Sequence, residues 1–505
     1  MASNSILLVA AIDFGTTYSG WAFSFKNEYK TDPTKTSTKH WFGGHFISLK
    51  APTTALIKPD GKTLDSFGYE AETKYANLAC SDEYKAWYYF RHFKMLLHVR
   101  KAGINEENFR IALEPEAASI FCRLLPLERM VEGRGLSSFK TGSKYMVLDA
   151  GGGTVDISVH EVMPGEKLKE IHKPSGGPWG GIQVDEAFKQ FIISLVGDTV
   201  FCRFQTESKE DYLNLFRDFE IKKRNISPES NNNVTFYIPF TLKEIFQKES
   251  GEDISNAIKQ TRYVDQVFML DDKLRVSATV MKNLFSAAIQ STVSHVKELM
   301  KDSKVQEISS ILMVGGFSES KMFQDAIKSN FRNVAVIIPR EAGLVVLNGA
   351  VVFGHSPLSI AERVCKYTYG VSTTTQFDET IHDVSKRVEY DDGPRCKDMF
   401  SKHIEIGQTV AVEDTTEQKS YFPLREDQTN VKFVIYSSTE KSPMYVTDEG
   451  CVKLGSVNVD ILDMSVPRKQ RTVLVSMRCG GTEIEVTAKE KRTGQTARVK
   501  LNFLG

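Results

Sequence analysis

The chain has 505 residues, 41% of them hydrophobic and 25% charged, and its 64 Lys+Arg balance its 64 Asp+Glu. That length exceeds one ordinary core and implies several structural units, at roughly 100–200 residues each. A net charge of zero excludes a generally nucleic-acid-binding surface, which needs a basic excess.

The first element is apolar, from Ser5 to Ile12, and runs straight into Asp13-Phe14-Gly15. It lacks a basic n-region, so it reads as a buried strand rather than a signal peptide. No long apolar run follows anywhere, and a membrane span is not expected. The seven cysteines are scattered, odd in number and without a Cys-x-x-Cys pair. This pattern argues against a disulfide framework or a zinc site and for a reducing compartment, the cytoplasm or the nucleus.

An internal repeat is the most informative feature. Val9 to Phe25 reads as strand, tight turn, strand, with Asp13, Gly15, Thr16 and Thr17 at the bend. Tyr145 to His160 repeats it, with Asp149, Gly151, Gly152, Gly153, Thr154 and Asp156. Glycines let backbone N–H groups approach phosphate oxygens without a Cβ in the way, and threonine hydroxyls add donors. Facing carboxylates suit Mg²⁺, held through its waters because this ion dehydrates reluctantly. Two such hairpins face to face would grip a polyphosphate from both sides. A Walker loop is absent, and neither it nor the Rossmann fingerprint fits, because both need a helix after the glycines and here period-two residues follow.

Further along, Ala278 to Met300 is expected to be one helix, capped by Ser277, with Val280, Leu284, Ala288, Thr292, Val296 and Met300 in an i+4 line. His295 on it reads as structural. The strand Ile308–Val314 leads into a third glycine turn, Gly315-Gly316-Phe317-Ser318, and a helix over Glu319–Phe331. Strands and helices alternate to about residue 355. Beyond Gly354-His355-Ser356-Pro357 the pattern turns to short strands at Tyr367–Thr373, Val431–Ser437, Arg471–Met477, Glu483–Ala488 and Arg498–Phe503. The chain therefore divides into 1–355, an α/β body, and 356–505, a β-rich tail. The basic run Arg468-Lys469-Gln470-Arg471 reads as a solvated loop.

With these three turns in place, the sequence resembles the seventy-kilodalton heat-shock family, in its divergent 12A/12B-like branch, whose ATPase domain is actin-like (ribonuclease H-like) and two-lobed. Asp13-Phe-Gly-Thr-Thr-Tyr-Ser matches the first phosphate motif, Asp149-Ala-Gly-Gly-Gly-Thr-Val-Asp the second and Val314-Gly-Gly-Phe-Ser the adenosine motif. Phe90–His98, Ala112–Ser119, Gly180-Gly181, Glu220–Arg224 and His382–Arg387 add to it, so the likeness covers nearly the whole chain.

The resemblance implies an ATP- or ADP-binding, slowly hydrolysing, chaperone-like protein of the stress response, with protein clients or adaptors as partners. By it, Asp13, Asp149 and Asp156 surround Mg²⁺ and its waters, and Thr16, Thr17 and Thr154 hold phosphates. Lys94 supplies a cation near the transferred phosphate. Glu220, Lys223 and Arg224 clasp the adenosine, with Gly315, Gly316 and Phe317 beneath it. Glu114 has two readings: it orients or deprotonates the attacking water, or it is simply an acid opening a helix ahead of Pro115. Without the resemblance, Lys222-Lys223-Arg224 would read as a solvated helix face.

The chain departs from the family's pattern between Lys94 and Glu114, where a long segment with several helices and a connecting strand is missing. Lys101–Ile104 resembles the far end of that segment. The strand expected at Phe109–Leu113 would lack its neighbour, which predicts an exposed sheet edge. No long helical lid follows the tail. Two other readings fit the same motifs: a scaffold that binds partners without turnover, and a sugar or acetate kinase built on the same cleft.

Overall fold

Two β-hairpins with the same register organise the computed structural model, which describes residues 7–43, 47–81, 83–96, 110–131, 140–356, 360–412, 414–478 and 483–502. In the first, Leu8–Phe14 pairs antiparallel with Tyr18–Phe25 and sets Asp13 opposite Gly20. In the second, Lys144–Ala150 pairs with Val155–Val162 and sets Asp149 opposite Asp156. Each carboxylate stands one residue before its strand ends, and the last paired positions, Phe14 with Ser19 and Ala150 with Val155, have the same spacing, so the repeat read in the sequence is a repeat in space.

The second hairpin lies inside a seven-stranded sheet with the order 335–337, 310–314, 144–150, 155–162, 168–177, 360–364 and 409–411. Ser310–Val314 runs parallel to Lys144–Ala150. Both faces of that central strand are covered, as parallel pairing requires. Met146 and Leu148 pack in a large core with Phe188, Ala288 and Phe323, drawn from the helices Ile182–Val196, Ser286–Leu299 and Lys321–Asn330. Tyr145 and Val147 pack on the other side with Phe121 and Phe353, from the helices Glu114–Leu124 and Val345–His355. These two helices cross almost backbone to backbone: a Cβ on Gly349 would lie 1.9 Å from the Ala117 carbonyl oxygen.

The first hairpin is built out on one side only. Ala11 and Ala22 pack against Leu347 and Val351 of the Val345–His355 helix. On the opposite face Leu8, Ile12, Trp21 and Phe25 are exposed. Among the described residues Leu8–Phe14 pairs with Tyr18–Phe25 and with no other strand, whereas its twin also pairs with Ser310–Val314. The strand expected at Phe109–Leu113 does not form: Phe109 lies outside the described residues, and Arg110 to Leu113 are not in a strand. Lys101–Ile104 also lies outside them.

The helix expected over Ala278–Met300 is two helices, Ala278–Asn283 and Ser286–Leu299. At the break Leu284 and Phe285 bond back three residues, to Met281 and Lys282, which tightens the ladder for one step. The i+4 apolar line survives it, with Val280, Leu284, Ala288, Thr292 and Val296 all buried. No described helix is long and apolar enough to cross a membrane.

The described regular structure from Ile360 onward is strands and short 3-10 turns. Two of those strands, Ile360–Val364 and Thr409–Ala411, complete the seven-stranded sheet. The others form a five-stranded and a four-stranded antiparallel sheet around Tyr369, Phe433, Val475 and Val486. The run Arg468–Arg471 is not a solvated loop. Arg471 is buried and donates to the carbonyls of Val466, Glu426 and Met464, and Arg468 donates to the Pro423 carbonyl and to Asp392. A planar guanidinium carries five donors, enough to tie several loop carbonyls together.

A buried ionic cluster ties the strand Ile360–Val364 to the body. Arg363 grips Glu116 with two nitrogens, one at 2.5 Å, and the Val364 N–H donates to Glu170 Oε2 at 2.9 Å. Burial, and then the neighbouring Glu116 carboxylate, push the Glu170 carboxyl up to about 8.

Two predictions follow from this packing. Leu148 is 0% exposed while its twin Ile12 is 70% exposed. Leu148→Ala should cost about 2–5 kcal/mol in urea unfolding, and Ile12→Ala less than about 1 kcal/mol. Folded Glu170 keeps a proton that the unfolded chain gives up, so stability should fall as pH rises from about 4.5 to about 8. Glu170→Gln should flatten that slope in urea titrations run at stepped pH.

Candidate functional site

The two hairpin turns meet. A Cβ added to Gly152 would lie 1.7 Å from Thr17 Oγ1, and one on Gly153 would lie 3.2 Å from Thr16 Cβ. Only glycine fits at position 152 with Thr17 where it stands. The second turn is closed by a Gly151 N–H bond to the Thr154 carbonyl at 2.9 Å. Gly180 and Gly181 strap it from outside: Gly181 N–H donates to the Gly151 carbonyl and Ile182 N–H to that of Gly152, at 3.2 and 2.8 Å. A Cβ on Gly180 would sit 2.5 Å from the Gly152 carbonyl oxygen, so this close approach also requires glycine.

Beneath the turns the carboxylates converge. Asp149 is buried, and its Oδ2 has no hydrogen-bond partner. Burial, then Glu114, Asp156 and Asp13, hold its carboxyl well above the usual range. Gly315, at φ +85°, lies against it; a Cβ there would be 2.4 Å from Asp149 Oδ1. Asp156 accepts from Thr154 Oγ1 at 2.8 Å. Asp13 Oδ2 pairs with Lys50 Nζ at 2.5 Å. Burial pulls the Lys50 ammonium down, but Asp13, and then Asp149 and Glu114, outweigh it and hold it above its ordinary value.

Glu114 opens the Glu114–Leu124 helix, with Pro115 in its first turn and Glu116 as the second acid there. Glu114 thus both starts a helix and stands among the converging acids. Its side chain keeps 44% of its exposure and pairs with Lys94 at 3.7 Å. Burial of its surroundings, then Asp13, raise its carboxyl, and Lys94 opposes them.

A second group stands at the end of the Lys209–Lys223 helix. Lys223 Nζ bridges Asp185 Oδ1 at 2.6 Å and Glu220 Oε2 at 2.5 Å, and Arg224 pairs with Glu220 at 2.8 Å. Lys223 is therefore an enclosed ion-pair member and not part of a solvated face. Burial raises the Glu220 carboxyl, but Lys223 and Arg224 outweigh it and hold it below the usual range. Tyr18 joins this group to the first hairpin. Arg224 donates to its hydroxyl at 3.3 Å and lies 5.7 Å from its ring centre.

The structure thus brings together Asp13, Thr16, Thr17, Lys94, Glu114, Asp149, Gly151, Gly152, Gly153, Thr154, Asp156, Gly180, Gly181 and Gly315, while Glu220, Lys223 and Arg224 connect through Tyr18. Gly316 is open, with no atom within 4 Å of an added Cβ. Phe317 is buried and stacks on Phe323, with ring centres 4.8 Å apart, so it supports the turn from the core. Among the described residues no three His, Cys, Asp or Glu side chains form a direct metal-ligand set. Lys50, Tyr18 and Asp185 were not singled out from the sequence. Tyr18 lies within the first phosphate motif, and that membership is its signal; Lys50 lies in no motif.

Comparison with known proteins places these observations in context. The family model described as "Hsp70 protein" matches residues 102–502. Heat shock 70 kDa protein 12A of Homo sapiens is 29% identical over 627 aligned positions, covering 99% of this chain and 92% of that protein, and the Mus musculus protein of the same name gives the same figures. Heat shock 70 kDa protein 12B of Homo sapiens is 27% identical over 634 positions, covering 99% of this chain and 91% of that protein. These alignments are longer than the 505 residues of the chain, so the relatives carry positions with no counterpart here.

Proposed function

The chain belongs to the Hsp70 protein family, and on that premise we propose that its facing hairpins grip the phosphates of Mg·ATP in a two-lobed, actin-like cleft. The observation that carries this reading is the contact of Thr16-Thr17 with Gly152-Gly153 above a buried Asp149 oxygen that has no partner. The family binds ATP or ADP, usually with Mg²⁺. The residues present suit that ion. A buried carboxylate oxygen left unpaired is costly, and the four acids there face two ammoniums, Lys50 and Lys94. Asp13, Asp149 and Asp156 would hold Mg²⁺ through its waters, because this ion dehydrates reluctantly. Bound there, the ion supplies electrostatic stabilisation of the phosphate charge.

The chain's own groups do the rest. Thr16, Thr17 and, once turned from Asp156, Thr154 donate to phosphate oxygens, together with the N–H groups of Gly15, Gly152 and Gly153. Gly180 and Gly181 keep the second turn in shape. Glu220, Lys223 and Arg224 hold the adenosine, with Gly315 and Gly316 beneath it and Tyr18 across from it. Glu114 stays open to water and its carboxyl is raised, which suits a group that orients or deprotonates a water attacking the γ-phosphate. Lys94 balances it.

Residues 1–355, with the strands Ile360–Val364 and Thr409–Ala411 that complete their sheet, form the nucleotide-binding domain in this reading, and the remaining strands of 356–505 a β-rich domain resembling those that bind protein clients. The product is an ATP-dependent, chaperone-like protein with slow turnover. A second reading, a scaffold that binds partners without turnover, is favoured by the bare face and open edge of the first hairpin, a place where hydrolytic machinery would lose rigidity.

Isothermal titration calorimetry with Mg·ATP tests the binding. Wild-type heat that depends on Mg²⁺ is expected, with a loss of at least about tenfold in affinity for Asp149→Ala, which removes a charge-assisted contact; no Mg-dependent heat in the wild type sinks the reading. Single-turnover hydrolysis separates the two functions. Glu114→Gln should retain ATP binding and slow the chemical step by about 10²–10⁴-fold if Glu114 is the base. An unmeasurable wild-type rate with intact binding selects the scaffold.

A further inference from the structure

The two hairpins are twins with one difference in charge. Asp149 faces Asp156 across its hairpin, while Asp13 faces Gly20. The room left by Gly20 is used by Lys50: a Cβ on Gly20 would lie 3.0 Å from Lys50 Cγ. Where the second hairpin shows two acids, the first shows one acid with a lysine laid over a glycine.

The backbone that carries Lys50 is fastened to the first turn. Ala51 and Pro52 pair with Ser19 and Tyr18. Thr53 N–H donates to the Thr17 carbonyl at 2.7 Å, its hydroxyl donates to the Gly15 carbonyl at 2.7 Å, and Ser19 Oγ is 2.8 Å from that hydroxyl. The ammonium is thereby fixed at the level of Asp13, and the Lys50 side chain keeps only 19% of its exposure. Four carboxylates meet here, Asp13, Glu114, Asp149 and Asp156, against two ammoniums, Lys50 and Lys94. A dication closes that deficit. When it does so, an ammonium on Asp13 is redundant beside the acid and well placed for the anionic chain arriving over the same turn. The lysine stem has the length and rotatable bonds to make that change.

We propose that Lys50 is the resident counter-ion of the cleft, held on Asp13 while nucleotide is absent and passed to a phosphate oxygen when a Mg·nucleoside triphosphate enters. This rests on the nucleotide reading of the site and names the cation that reads the phosphate chain from the first hairpin. Lys50 and Mg²⁺ then compete for Asp13 but cooperate on the nucleotide, so removing the lysine has effects of opposite sign.

The test compares full-length wild type, Lys50→Met and Lys50→Arg in two measurements. Calorimetry with Mg·ATP should show Lys50→Met about 10–100-fold weaker, the loss of one charge-assisted contact, and Lys50→Arg within about threefold of wild type. Mn²⁺ alone, followed by the electron paramagnetic resonance signal of the free ion, should bind Lys50→Met several-fold more tightly than wild type. Should Lys50→Met fail to fold, Lys50→Gln keeps a hydrogen bond to Asp13 and carries the same two expectations. Unchanged Mg·ATP affinity in the neutral variant overturns the proposal, and so does unchanged or weakened Mn²⁺ binding. A wild type that binds Mn²⁺ but no nucleotide sinks the nucleotide reading instead, while the Mn²⁺ comparison still decides whether Lys50 is the counter-ion.

Discussion

Like charges brought together out of water set the terms for this molecule. Asp149, Asp13, Asp156 and Glu114 converge where two hairpin turns touch, and Asp149 is buried with an oxygen unpaired. Burial first, and then the neighbouring acids, raise the Asp149 and Glu114 carboxyls. Lys50 and Lys94 answer part of the charge. The rest of the architecture serves to keep the acids in place at that cost: glycines at 152 and 180 permit backbone contact, and the helix that begins at Glu114 is pinned where Gly349 meets Ala117.

The two halves of the repeat hold their carboxylates by different means. Asp149 ends a strand flanked on both edges and covered on both faces, so its position is set by a large core. Among the described residues, Asp13 lies at the end of a strand with one open edge and one bare face, positioned by the Val345–His355 helix and the Lys50–Thr53 strap. The first half therefore depends more heavily on a few local bonds.

The chain beyond residue 356 is joined to this centre through the sheet itself. Ile360–Val364 extends the strand order that includes the second hairpin, and Arg363 is paired in the interior with Glu116, two residues from Glu114. An uncompensated charge left in that interior would cost several kcal/mol, on the order of 3–5 for a broken buried pair, so the two segments hold each other in register.

Read from residues alone, the hairpins, their acids and glycines, the third glycine turn and the strand-rich end were legible, because strand periodicity and turn chemistry are local properties. The break at Leu284-Phe285 was not, since the apolar line runs through it unbroken. Nor was the burial of Arg471 and Lys223, because a basic residue reads as solvated until its carboxylate and carbonyl partners, distant in sequence, are known. Lys50 is the clearest case. It sits in no motif, and only the pairing of Ala51-Pro52 with the first turn brings it to Asp13. Composition and spacing by themselves determined the elements and the chemistry at the ends of the buried strands. Which charges face one another across those ends was decided by tertiary structure, because Coulomb interactions act through space and not along the chain.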